Sequence, residues 1–133
     1  MSEKITLQNI FDLAWQAFIV EGRQPAWEHG LGCVYLTKSG GKCGVGLAIP
    51  DGHPAQKFKG GFADLRDEFT ELFDESILNM RAEDLRSFQS RLHDGMVNKS
   101  EARHGNISWD RCQKLRKKEY IYLALDFDLS VPE

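Results

Sequence analysis

Cys43, His93 and either Asp94 or Asp51 are the residues of this chain that could together perform covalent chemistry. A thiolate attacks, an imidazole takes or holds the proton, and a carboxylate fixes the imidazole tautomer. Cys33, Cys43 and His53 stand ten residues apart and could offer three ligands to zinc, with His93, His104 or Cys112 as a fourth. Neither set has the local spacing that makes such chemistry specific. Structural zinc sites usually present two thiolates from one short C-x2-4-C knuckle, and this sequence has none; nor does a strand-to-helix elbow follow Cys43. Cys43 fits equally well as a small hydrophobe on an apolar strand face. His93 suits a helix C-terminus, where its protonated form is favoured by the dipole, with Asp94 accepting local hydrogen bonds. Ser39-Gly40-Gly41-Lys42 lacks the spacing of a phosphate loop and leads into a strand pattern, which makes it a turn. No cofactor and no metal follow from these residues, and a small thiol-dependent enzyme is the alternative reading.

Charge is distributed more informatively. Asp64, Asp67, Glu68, Glu71, Asp74 and Glu75 crowd one segment, relieved by Arg66. Were that segment one helix, Asp64/Glu68, Asp67/Glu71 and Glu71/Glu75 would be like charges one turn apart, which costs helix stability. A surface that accepts such a cost is a candidate site for a protein with a basic surface, including one that normally handles nucleic acid. Arg111, Lys114, Arg116, Lys117 and Lys118 form the opposite patch, close to Trp109, Tyr120 and Tyr122. Aromatic residues beside cations can stack bases, but a net charge of -3 and the lack of a recognisable module disfavour nucleic acid. The two patches also match each other, so a homodimer is a further option.

These residues need elements to place them. Leu31 to Asp51 reads as a β-hairpin: two apolar runs flank Ser39-Gly40-Gly41, where glycine supplies the positive φ of a tight turn. Its second strand puts Cys43, Val45, Leu47 and Ile49 on one face, and Pro50 ends the ladder. Thr6 to Val20 reads as a helix with Thr6 as N-cap and Ile5 and Ile10 placed for a hydrophobic staple. Phe62, Leu65, Phe69, Leu72, Phe73 and Ile77 repeat at helical spacing, as do Ala82, Leu85, Phe88 and Leu92, with an end near Gly95. Gly95 to Ile107 reads as a long polar loop. From Tyr120 to Leu129 the apolar residues alternate as in a strand, while the uninterrupted helix formers from Trp109 onward favour a helix, and helix is the reading adopted. The expected fold class is α+β, a small antiparallel hairpin or sheet packed against about four helices.

Three pieces of the chain carry a resemblance. Cys33-Val34-Tyr35 with Gly41-Lys42-Cys43-Gly44-Val45-Gly46 and Ile49-Pro50-Asp51, then Phe88 to Asp94 ending in His93-Asp94, then Trp109 with Leu123 to Leu129, resemble an uncharacterised family of small phage, prophage and bacterial proteins. The resemblance implies a hairpin, a helix ending in His-Asp and a C-terminal helix with its cap; it implies no activity and no functional residues. Asp128 departs from it, since a glycine-like cap is expected there.

A length of 133 residues suits a single domain, and 41% hydrophobic with 28% charged residues is an ordinary composition for a water-soluble chain. No apolar run approaches a membrane span, the N-terminal segment is too polar for a signal peptide, and an odd count of three cysteines fits reduced thiols. The expectation is a cytoplasmic accessory protein, in the host cell if phage-encoded, that acts by protein binding and inhibits a host defence or nucleic-acid-handling complex through its acidic surface. A zinc- or nucleic-acid-binding regulator is the third reading.

Overall fold

The computed structural model describes residues 4–21, 27–28, 32–33, 45–58, 60–94 and 109–132; the side chains of 27, 28, 32, 33, 93, 94, 109, 110 and 112 lie outside that description. The chain begins with α1 (Leu7–Ala14), whose start is fixed by a reciprocal cap. The Thr6 hydroxyl accepts from the Asn9 N–H at 2.9 Å, and Asn9 Oδ1 accepts from the Thr6 N–H at 3.2 Å. Beyond Ala14 the helix widens into a π-helical segment, Trp15–Val20, closed by the Glu21 N–H donating to the Gln16 carbonyl. Leu7, Ile10, Phe11, Ala14 and Phe18 form the buried stripe that this continuous helix gives to the core.

The acidic segment is not one helix. It divides into α2 (Phe62–Glu68), a 3-10 turn at Thr70–Leu72 and a short α3 (Glu75–Leu78). Phe73 is extended and forms a parallel bridge with Ile5: the Ile5 N–H donates to the Leu72 carbonyl and the Asp74 N–H to the Ile5 carbonyl, at 2.8 and 3.0 Å. The expected helix from Phe62 to Ile77 is therefore corrected: the bridge to Ile5 interrupts it at Phe73, and its charges favour the break. Carboxylates gathering toward a helix C-terminus oppose the dipole and each other, whereas the break places Asp74 and Glu75 at the start of α3, where negative charge is favoured. Apolar spacing persists through the break because both halves bury Phe62, Leu65, Phe73 and Ile77 in the same core.

The sheet-centred class is corrected too. Among the described residues the ladder amounts to β1 (Trp27–Glu28) against β2 (Gly32–Cys33), with Trp27 opposite Cys33 and Glu28 opposite Gly32. The core of the described residues is built by helices and the turns between them, so the α+β expectation gives way to a helical fold. Where the second hairpin strand was expected, Val45 has helical dihedrals and Gly46–Ala48 is a 3-10 turn; Ile49 becomes extended before Pro50. Gly46 and Ala48 offer little side-chain surface to a strand, and packing won over alternation: Val45 and Ile49 are buried against the helices. The expected hairpin turn, Ser39 to Gly41, and Cys43 lie outside the described residues.

Two longer helices complete the described fold, α4 (Ala82–Asp94) and α5 (Trp109–Asp126). The strand-like alternation at the end of α5 resolves into a helix with two apolar faces. Tyr120, Leu123 and Ala124 point inward and are buried, while Ile121, Tyr122 and Leu125 point outward. The inward face also carries polar tips that finish neighbouring helices. Gln113 Nε2 and Arg116 Nη1 both donate to the Phe18 carbonyl, at 3.2 and 3.0 Å, near the end of the π-helical segment. Tyr120 donates its hydroxyl to the Leu92 carbonyl in the last turn of α4, at 2.5 Å. Carbonyls in a last helical turn lack intrahelical donors, so α5 supplies bonds that two other helices need.

An ion bridge ties α4 to α5 as well. Arg91 holds Glu119 at 2.9 Å and Asp126 at 2.7 Å. Burial works against the Arg91 charge, but the hydrogen bonds to Glu119 and Asp126 outweigh it and raise the guanidinium pKa above its ordinary value. Phe88 meets Phe62 and Phe127 with ring centroids 6.4 and 5.3 Å apart, which carries the core from α2 through α4 to the C-terminal end of α5.

Candidate functional site

The acidic segment keeps most of its carboxylates exposed although its residues do not share one helix. Asp64, Glu68, Glu71 and Glu75 are exposed, and among the described residues none of them has an ion pair. The cation in their midst is turned away. Arg66 has a side chain only 12% exposed, and its Nη1 donates to the carbonyls of Ile77 and Met80 behind α3. Its Nε pairs with Asp67 at 2.9 Å. Asp67 is consequently compensated. Asp74 is occupied in the fold, because its Oδ1 accepts from the Ser76 N–H at 3.0 Å and from the Ser76 hydroxyl at 2.5 Å, capping α3. Of the six carboxylates expected from the sequence to bind a partner, four are free to do so and two are engaged in the fold.

A cleft of about 790 Å³ opens where Asp74 and Ser76 meet the start of α1 and the end of α5. Asp84, Arg91, Asp126 and Asp128 also line it. Sequence reasoning missed this convergence, because the four acidic residues come from three distant segments and none has a motif around it. Part of their charge is already answered: Arg91 takes Asp126, and Arg81 takes Asp84 at 3.3 Å.

The basic patch also changes composition. Arg116, expected on the surface, is fully buried, with its guanidinium carbon 6.0 Å from the centroid of the Phe18 ring. Lys114, Lys117 and Lys118 remain exposed on the outer side of α5, beside Tyr122.

For the thiol and metal alternatives, the described geometry concerns Asp51 and His53. Asp51 is exposed in the turn after Pro50 and accepts from Gln56 Nε2 at 3.4 Å. His53 is half-buried, and its Nδ1 accepts from the Ala55 N–H at 3.0 Å as the cap of the 3-10 turn Pro54–Lys57, while its ring meets Phe69 edge-on. A metal at Nδ1 would displace that cap. Cys43 and the side chains of Cys33, His93, Asp94 and Cys112 lie outside the described residues, as does His104. Among the described residues no three His, Cys, Asp or Glu side chains converge in a metal-binding group, and no helix is long and apolar enough to cross a membrane.

Comparison of the chain with known protein families, with curated proteins and with solved structures finds no match. Its class is therefore stated from its own geometry: a helical protein in which Asp64, Glu68, Glu71 and Glu75, spread from α2 to α3, are exposed and without an ion pair among the described residues.

Proposed function

We infer that this chain is a binding module that presents Asp64, Glu68, Glu71 and Glu75 to a basic surface of another protein. The inward turn of Arg66 carries the reading: the one cation placed by sequence within the acidic run bonds to backbone carbonyls and to Asp67, which leaves the four carboxylates uncompensated. Clustered charge of one sign steers a complementary partner and raises its rate of encounter. The resemblance to small phage and prophage proteins gives this reading its setting: a cytoplasmic accessory protein that occupies, and thereby inhibits, a host defence or nucleic-acid-handling complex.

Tagged protein and its Asp64→Asn/Glu68→Gln/Glu71→Gln/Glu75→Gln variant, used in parallel to capture partners from a bacterial host lysate at low and high salt, test the reading. A partner with a basic surface, held by the wild type and released by the substitutions and by salt, is the expected result. Equal capture by both proteins would exclude this face.

A further inference from the structure

Beyond α5 the chain passes one strained residue and is then held by a side chain 122 residues away in sequence. Asp128 takes the left-handed φ of 54°, and the Leu129 N–H after it donates to the Ala124 carbonyl at 2.8 Å. Ser130 is gripped by Gln8, in the first turn of α1: its N–H donates to Gln8 Oε1 and its carbonyl accepts from Gln8 Nε2, both at 2.8 Å. Asp12 Oδ1 also accepts from Gln8 Nε2, at 2.8 Å, so both hydrogens of the carboxamide are used and its orientation is fixed. Between the strained residue and this grip, Leu129 is half-buried against the core and lines the cleft together with Leu7 and Met80.

We propose that residues 129–132 form a strap, hinged at Asp128 and latched by Gln8, that opens as a unit while the helices stay folded. The balance of forces supports a separate opening. Both bonds to Gln8 are exposed, so water competes for them and their net return is small. Against that return stands the conformational entropy of ordering four residues, of the same order, and the cost of a left-handed residue that is not glycine. The half-burial of Leu129 supplies the remaining attraction. Opening leaves the bonds inside α1, α4 and α5 in place, so it requires far less free energy than unfolding. The latch reads backbone atoms of the strap alone, and Gln8 therefore acts on it whatever side chain stands at 130. When the strap opens, Leu129 leaves the cleft; the latch thus sets how often the cleft has its full apolar wall. None of Asp64, Glu68, Glu71 and Glu75 takes part, so this inference stands or falls separately from the binding function above.

Amide hydrogen exchange of the full chain, read residue by residue by NMR and divided by the intrinsic rate of each amide, gives the test. In the wild type the Leu129 and Ser130 amides are expected to share one protection of about 10- to 100-fold, at least 100-fold below that of Leu123 and Ala124 inside α5. Gln8→Ala removes both latch bonds and is expected to speed exchange at Leu129 and Ser130 about tenfold while leaving α5 unchanged. Ser130→Pro deletes the strap's own N–H without touching α1 and is expected to speed Leu129 by a similar factor, whereas Ser130→Ala, which keeps the backbone, should leave both rates as they are. Asp128→Gly relieves the hinge and is expected to slow both amides about twofold. A Ser130 amide without protection in the wild type, a Leu129 amide protected as strongly as the interior of α5, or a Gln8→Ala effect that is absent or spread evenly over every helix would each overturn the proposal.

Discussion

Arg116 reaches across 98 residues of sequence to donate to the carbonyl of Phe18 at 3.0 Å, and its guanidinium lies 6.0 Å from the Phe18 ring. The bond lies near the end of the π-helical segment, where carbonyls have run out of donors and a positive charge is favoured by the helix dipole. A position that reads from sequence as one of five surface cations is therefore a structural anchor of α5. Arg116→Ala is expected to destabilise the protein by about 3 kcal/mol, combining the cavity with the lost charged hydrogen bond. Arg116→Met, which keeps most of the buried stem, is expected to cost about half as much. Chemical denaturation measures both. A cost for Arg116→Ala below about 0.5 kcal/mol, the usual effect at a surface site, would contradict the burial.

Asp74 separates the two roles that carboxylates play in the acidic segment. Because its side chain caps α3 through the Ser76 N–H, Asp74→Ala is expected to cost about 1 kcal/mol, and Asp74→Asn, which can still cap, only a few tenths. Neither should alter partner affinity as strongly as changes at Glu71 or Glu75. Parallel unfolding and binding curves for the two variants check this. Equal losses from Asn and Ala would remove the capping role.

Asp128 has φ of 54°, the left-handed region that favours glycine. Around it the Leu129 N–H donates to the Ala124 carbonyl at 2.8 Å and the Asp128 N–H to that of Leu125 at 3.4 Å, the paired bonds that close a helix at a left-handed residue. Asp128→Gly relieves the side-chain crowding of this conformation and is expected to raise stability by about 0.5 kcal/mol, measured by chemical denaturation. A loss of stability would mean that the Asp128 carboxylate has a compensating role in the fold.

How much of this is legible in the sequence depends on range. The cap at Thr6 and the apolar stripe of α1 are local and match the sequence pattern, as does α4 from Ala82 to Asp94. The departure at Asp128 is visible only through the resemblance, which implies a glycine-like cap at the position that has a φ of 54°. The departures come from contacts between distant segments. Nothing near Phe73 announces that Ile5 will pair with it and break the acidic helix, and nothing in Lys-Leu-Arg-Lys-Lys distinguishes the one cation that α5 turns inward. Alternation at Val45 to Ile49 suggests a strand where burial of Val45 and Ile49 is achieved from a 3-10 turn. Of the binding surface, the carboxylates are visible as composition; the withdrawal of Arg66, which leaves them uncompensated, requires the carbonyls of Ile77 and Met80 to be in place.

The most direct measurement of the central claim is the affinity of the captured partner for wild type, for Asp64→Asn/Glu68→Gln/Glu71→Gln/Glu75→Gln, and for the control Glu83→Gln, whose carboxylate is already paired with Arg81. Titration calorimetry at two salt concentrations resolves the difference. The four-site variant is expected to lose about tenfold or more in affinity and most of its salt dependence, while staying within about 1 kcal/mol of wild type in stability, because the relief of like-charge repulsion is offset by the loss of negative charge in the first turns of α2 and α3. The control should bind as wild type does. Affinity and salt dependence unchanged in the four-site variant would contradict the claim that this acidic face is the binding surface.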